Sequence, residues 1–92
     1  MSEALTRQVT IVNKLGLHAR AAAKLVTCAS GFSAEVTVRR GDKEVNGKSI
    51  MGVMMLAAAQ GTDIELVVSG DDAEAALDAL DALIADRFGE EE

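Results

Sequence analysis

The chain has no tryptophan and no tyrosine, and Phe32 and Phe88 are its only aromatic residues. Aromatic faces on which bases could stack are therefore missing, which argues against a single-stranded nucleic-acid platform. Cysteine occurs once, at Cys28, so no internal disulfide can form. Among apolar neighbours on an expected helix, it reads as a small buried filler. No run reaches the roughly 20 apolar residues that a spanning helix needs. The opening MSEALTRQ also lacks a signal-peptide core. These absences lead to the expectation of a soluble, cytoplasmic protein that does not enter a membrane. Histidine, too, occurs once, at His18.

What is present is a globular composition, 49% hydrophobic over 92 residues, which fits one domain with one modest core. The net charge of −6 is unevenly spread. Residues 1–60 carry eight Lys/Arg against four Asp/Glu, whereas residues 61–92 carry one Arg against eleven Asp/Glu. Such polarity suits the steering of partners, and the net sign disfavours nucleic acid as the main one. A monomer is the default expectation for so small a chain.

The hydrophobic pattern predicts β-α-β-β-α-β-α. RQVTIVN (7–13) is β-branched and reads as a first strand. HARAAAKLVTCAS then switches to helical spacing, with Ala22, Leu25, Val26 and Ala29 on one face. Gly31 is expected to end that helix in the left-handed conformation. FSAEVTVRR alternates, placing Val36 and Val38 on one side. Gly41-Asp42 is a tight-turn signal into a short strand at 43–46. NGKSIMGVMMLAAAQG (46–61) reads as a second helix with Ser49 as N-cap, Gly61 as its end, and Val53, Leu56 and Ala57 toward the sheet. DIELVVSG (63–70) is a strand with Ile64, Leu66 and Val68 on one side. Asp71 and Glu74 have capping-box spacing ahead of a helix whose stripe is Ala73, Leu77, Leu80, Ile84 and Phe88. The final residues, 89–92, read as a frayed acidic tail. Four strands and three helices in one small domain call for two layers, an α+β arrangement with the helices on one face of a sheet.

His18 falls where the first strand's exit loop meets the first helix. Backbone N–H groups of the opening turn lack partners within the helix, and the helix dipole adds positive potential there. An anion is stabilised at such a point. The candidate phosphate-binding groups are Ala19, at the start of the turn, and Arg20, whose guanidinium can grip phosphate oxygens. Protonation of the ring is disfavoured near this dipole end, so a neutral, nucleophilic imidazole is expected, suited to a transient phosphohistidine. A metal site would need more ligands than one histidine and one distant cysteine, and no cofactor is expected. Cys28 lies ten residues along the same helix, too far for a catalytic pair at about 1.5 Å per residue. A histidine that merely caps the helix stays open on the local pattern alone.

NKLGLHARAAAKLV (13–26) resembles the active-site segment of the histidine-containing phosphocarrier (HPr) family of the bacterial phosphoenolpyruvate-dependent phosphotransferase system. VNGKSIMGVMMLAA resembles the second signature of that family, about thirty residues on. The likeness spans residues 8–88. It implies an open-faced β-sandwich, a four-stranded antiparallel sheet covered on one side by three helices. It implies that His18 takes a phosphoryl group on Nδ1 from phosphorylated enzyme I and passes it to IIA-type proteins, with Arg20 contacting the group. The protein would act stoichiometrically, with no second acid–base group, and not as a turnover enzyme. Many members carry proline after that arginine; here it is Ala21, which leaves open whether the chain is sugar-linked or nitrogen-related.

The same resemblance makes Ser49 a candidate for regulatory phosphorylation by an HPr kinase/phosphorylase. It also implies docking through the His-bearing and second helices. Ile50, Met51, Met54 and Met55 cannot all be buried with the sheet-facing residues, and methionine suits a face that meets several partners. Leu17, Ala21, Lys24 and Lys48 complete the expected partner surface, its cations facing acidic partners. The alternative function is a regulatory module whose phosphorylation state controls binding to a non-transferase enzyme.

Overall fold

A computed structural model describes residues 4–92. The elements are β1 (Leu5–Thr10), α1 (Ala19–Ser30), β2 (Glu35–Arg40), β3 (Lys43–Asn46), α2 (Ile50–Met55), β4 (Asp63–Ser69) and α3 (Ala73–Ala85), followed by a 3₁₀ turn at Arg87–Gly89. The strand order is β1-β4-β2-β3, and every neighbouring pair is antiparallel. β1 and β2 therefore run parallel with β4 between them, and β3 and β4 flank β2. Two interleaved β-α-β crossovers, through α1 and α2, leave all three helices to cover the sheet.

Alternation decides which face is buried. Val9 lies opposite Ile64, Val38 opposite Leu66 and Val36 opposite Val68, and all six are buried. Against them pack Ala21, Ala22, Leu25 and Ala29 of α1, Val53 of α2, and Leu77, Leu80 and Ile84 of α3. Each fully buried Val, Leu or Ile side chain among them contributes about 1.5–3 kcal/mol. The other face of the sheet is polar: Thr10 donates to Asp63 at 2.5 Å and Arg39 pairs with Glu65. At the sheet edge the Arg7 guanidinium meets Asp78 and Asp81 of α3, each at 3.1 Å.

Several boundaries depart from the sequence expectation. β1 starts earlier and ends at Thr10, after which Ile11 donates to the Thr62 carbonyl at 2.9 Å and the chain turns inward. Gly31 is right-handed (φ −74°) because α1 tightens at its end, with Gly31 N–H donating to Cys28 O at 3.1 Å. Cys28 is half-buried rather than fully buried, and burial raises its thiol pKa. α2 has six residues, not the span 46–61. Ala57 breaks it with φ +51° and faces solvent, while Leu56 and Ala58 are buried. No capping box forms on α3. Asp72 is the N-cap residue, and its carboxylate reaches across to accept the N–H groups of Ser33 and Ala34, each at 2.8 Å. Phe88 is fully buried as expected, but it lies beyond the helix, in the 3₁₀ turn.

Candidate functional site

The approach to α1 is built by the loop that follows α2. Gly16 takes φ +68°, and an added Cβ would lie 2.5 Å from the Ala58 carbonyl oxygen. The next residue, Leu17, donates its N–H to that same oxygen at 2.9 Å. His18 follows as the N-cap residue of α1, extended at φ −73° and ψ 176°, and its carbonyl accepts Ala22 N–H at 2.8 Å. Its side chain makes no capping bond, so the capping reading of the imidazole does not hold. The N–H groups of the first turn, at Ala19 and Arg20, are left without a side-chain cap at the positive end of the helix.

The imidazole is instead engaged by the far end of the chain. His18 Nε2 lies 2.5 Å from Glu90 Oε2, and the two side chains are 27% and 14% exposed. Glu90 Oε1 accepts from Asn13 Nδ2 at 3.0 Å, and Asn13, fully buried, also donates to Gly16 O at 2.8 Å. Hydrogen bonds from Asn13 and from His18 hold the Glu90 carboxyl below the usual carboxylate range. The segment read above as frayed is thus folded onto the site. Phe88 anchors it in the core, Lys24 Nζ donates to Phe88 O at 2.6 Å, and Lys14 N–H donates to Glu92 O. Nothing local in GEEE predicts this, since the contact joins residues 72 positions apart.

Arg20 is exposed, and among the described residues its guanidinium has no carboxylate within salt-bridge distance. It lines a cleft of about 420 Å³ with Lys14, Leu15, Glu90, Glu91 and Glu92. The arrangement puts an imidazole, a helix N-terminus and, two residues on, a guanidinium without a carboxylate partner among the described residues at one end of α1, a set of groups that could stabilise an anionic group in transfer.

The expected partner surface divides in two. Ile50, Met51, Met54 and Met55 are exposed, Met51 and Met55 at 75% and 69%. Leu15, not singled out from sequence, is 68% exposed. Leu17 and Ala21, however, are buried, so they support the site from beneath and cannot meet a partner. Lys24 and Lys48 each give their ammonium to a backbone carbonyl, of Phe88 and of Phe32. Ser49 caps α2 as predicted, its Oγ accepting Gly52 N–H at 3.1 Å. Among the described residues no helix is long and apolar enough to cross a membrane.

The family described as "PTS HPr component phosphorylation site" matches residues 5–86. Phosphocarrier protein HPr of Cupriavidus necator is 56% identical over 88 residues, covering 96% of this chain and 99% of that protein. Phosphocarrier protein NPr of Shewanella violacea is 52% identical over 86 residues, 94% of each. The crystal structure of HPr-C-His from Thermoanaerobacter tengcongensis superposes with a TM-score of 0.92 at 48% identity, covering 96% of this chain and 99% of that one. HPr- and NPr-named relatives match about equally well, so likeness alone does not divide the two branches. On a family match spanning nearly all of its length and on relatives identical at more than half of their positions, the chain belongs to the HPr/NPr family of phosphocarrier proteins.

Proposed function

We propose that His18 carries the phosphoryl group, receiving it from phosphorylated enzyme I and passing it to IIA-type proteins in the cytoplasm. The observation that carries this reading is an imidazole at the N-terminus of α1, which has no side-chain cap, with Arg20 two residues on and without a carboxylate partner among the described residues. In the transfer step the Nδ1 lone pair forms the new N–P bond as the bond from phosphorus to the donor nitrogen breaks. The electron pair of the broken bond stays with the donor. Arg20 and the N–H groups of the first turn, at Ala19 and Arg20, take up the charge on the equatorial oxygens. The group stays labile because the linkage is to nitrogen, so onward transfer reverses the same step. The exposed Met-rich side of α2, together with Leu15, is the docking surface, where adaptable thioethers meet more than one partner.

Incubation with phosphoenolpyruvate and enzyme I tests this: acid-labile phosphate loads on the wild type and is absent from His18→Ala. Loading of the His18→Ala variant sinks the reading. A regulatory role is favoured by one observation, the near-equal match to an NPr-named relative. The discriminating result is discharge: a phosphoprotein that no IIA protein discharges, but that binds another enzyme, supports the regulatory module. Ser49 is the second proposed phosphorylation site. Its hydroxyl is already the α2 cap, so modification by an HPr kinase/phosphorylase would place about two negative charges beside the apolar surface.

A further inference from the structure

We propose that Glu90 is a positioning residue for His18: its carboxylate holds the hydrogen of the neutral imidazole on Nε2 and so leaves the lone pair on Nδ1. The inference rests on the reading of His18 as the phosphoryl carrier. Glu90 Oε2 is 2.5 Å from Nε2, and among the described residues no hydrogen bond reaches Nδ1. A carboxylate only accepts, so the nitrogen facing it must donate. A neutral ring has one N–H, so the other nitrogen is the nucleophile. Hydrogen bonds from Asn13 and His18 hold the Glu90 carboxyl below the usual carboxylate range, so the acceptor persists at neutral pH.

The carboxylate is itself held in place. Glu90 Oε1 takes the Asn13 amide, and Asn13 is buried with its other N–H on Gly16 O. On the other side, in the C-terminal strap formed by residues 87–92, Arg87 and Phe88 turn the chain back with φ +57° and +55°, and Phe88 is sunk in the core. Two non-glycine residues in the left-handed region are strained, so the reversal is maintained by the contacts it makes. As Nδ1 attacks phosphorus, its pair becomes the N–P bond, the donor–phosphorus bond breaks with its electrons leaving on the donor, and the ring turns cationic. Nε2 keeps its hydrogen, and the new charge lies against Glu90. Lys14, Arg20, Glu91 and Glu92 line the cleft beside Glu90, Lys24 donates to Phe88 O, and among the described residues Glu90 is the one carboxylate hydrogen-bonded to the ring.

The test pairs the nitrogen spectrum of His18 with the rate of phosphorylation by enzyme I. In the wild type the neutral ring is expected as the Nε2–H tautomer. In Glu90→Ala the tautomers mix and the rate falls about tenfold, the size of one lost charge-assisted hydrogen bond. Glu90→Gln, which keeps an acceptor oxygen, recovers part of both, and Glu74→Ala, at an exposed carboxylate of α3 outside the cleft, changes neither. An unchanged tautomer or an unchanged rate in Glu90→Ala overturns the proposal, as does an equal effect of Glu74→Ala. A wild-type protein that takes no label on His18 refutes the carrier reading instead, while the tautomer comparison still stands.

Discussion

Gly16 sets the entry to His18, and its two constraints can be separated. A side chain there would suffer a left-handed φ of +68° and a contact of 2.5 Å with the Ala58 carbonyl oxygen. Gly41 has a similar φ, +59°, but open space around it. Gly41→Ala should therefore cost only the conformational term, about 1–2 kcal/mol in urea unfolding. Gly16→Ala adds a clash with backbone that cannot swing away, for a total of about 2–4 kcal/mol. The His18 resonances should shift in the second variant and not in the first. Equal costs would mean that the Ala58 loop yields and that the entry to α1 is softer than its geometry.

The three helices are specified in different ways. α2 has only six residues, too few to be stable without tertiary support, so its cap matters. Ser49→Ala should lower stability by about 1 kcal/mol in urea unfolding, with loss of amide protection at Gly52. α3 begins at a residue whose side chain serves another element: the Ser33 and Ala34 N–H groups hold the Asp72 carboxyl below its ordinary value. A depressed folded-state pKa means that stability is complete above about pH 4 and drains as pH falls through the folded value. The gap in urea midpoint between wild type and Asp72→Asn should therefore narrow from about pH 5 to about pH 3. A constant gap would show that Asp72 does not titrate with folding. Both cases mark what the sequence made legible. The strands were readable because one buried face forces alternation on Val36, Val38, Ile64, Leu66 and Val68. The end of α2 was not, since alanine carries no sign that Ala57 turns left-handed once Leu56 and Ala58 are drawn into the core. The Asp71–Glu74 spacing misled because Asp72 is committed to a loop 38 residues earlier. His18 and Arg20 were legible as candidates because the features that single them out are local to one turn. Glu90 could not, because only the closed fold brings it to the ring.

Across the whole molecule, the acidic final third returns to the basic end of the chain, and Phe88 is the joint. It is fully buried, its carbonyl receives Lys24, and two residues later Glu90 meets His18. Core packing and ring orientation are thereby linked through one side chain. Phe88→Ala should lose about 3–5 kcal/mol by the transfer and cavity terms. It should also free the strap, so that His18 takes on the spectrum and slowed phosphorylation of Glu90→Ala. Leu80→Ala provides the contrast. Leu80 is equally buried, but it lies within α3, before the chain reversal at Arg87 and Phe88. Its loss, about 2–5 kcal/mol, should leave the folded protein's His18 spectrum and phosphorylation rate unchanged. If both variants alter His18 alike, the site responds to global stability; if only Phe88→Ala does, the strap is the physical connection between core and imidazole.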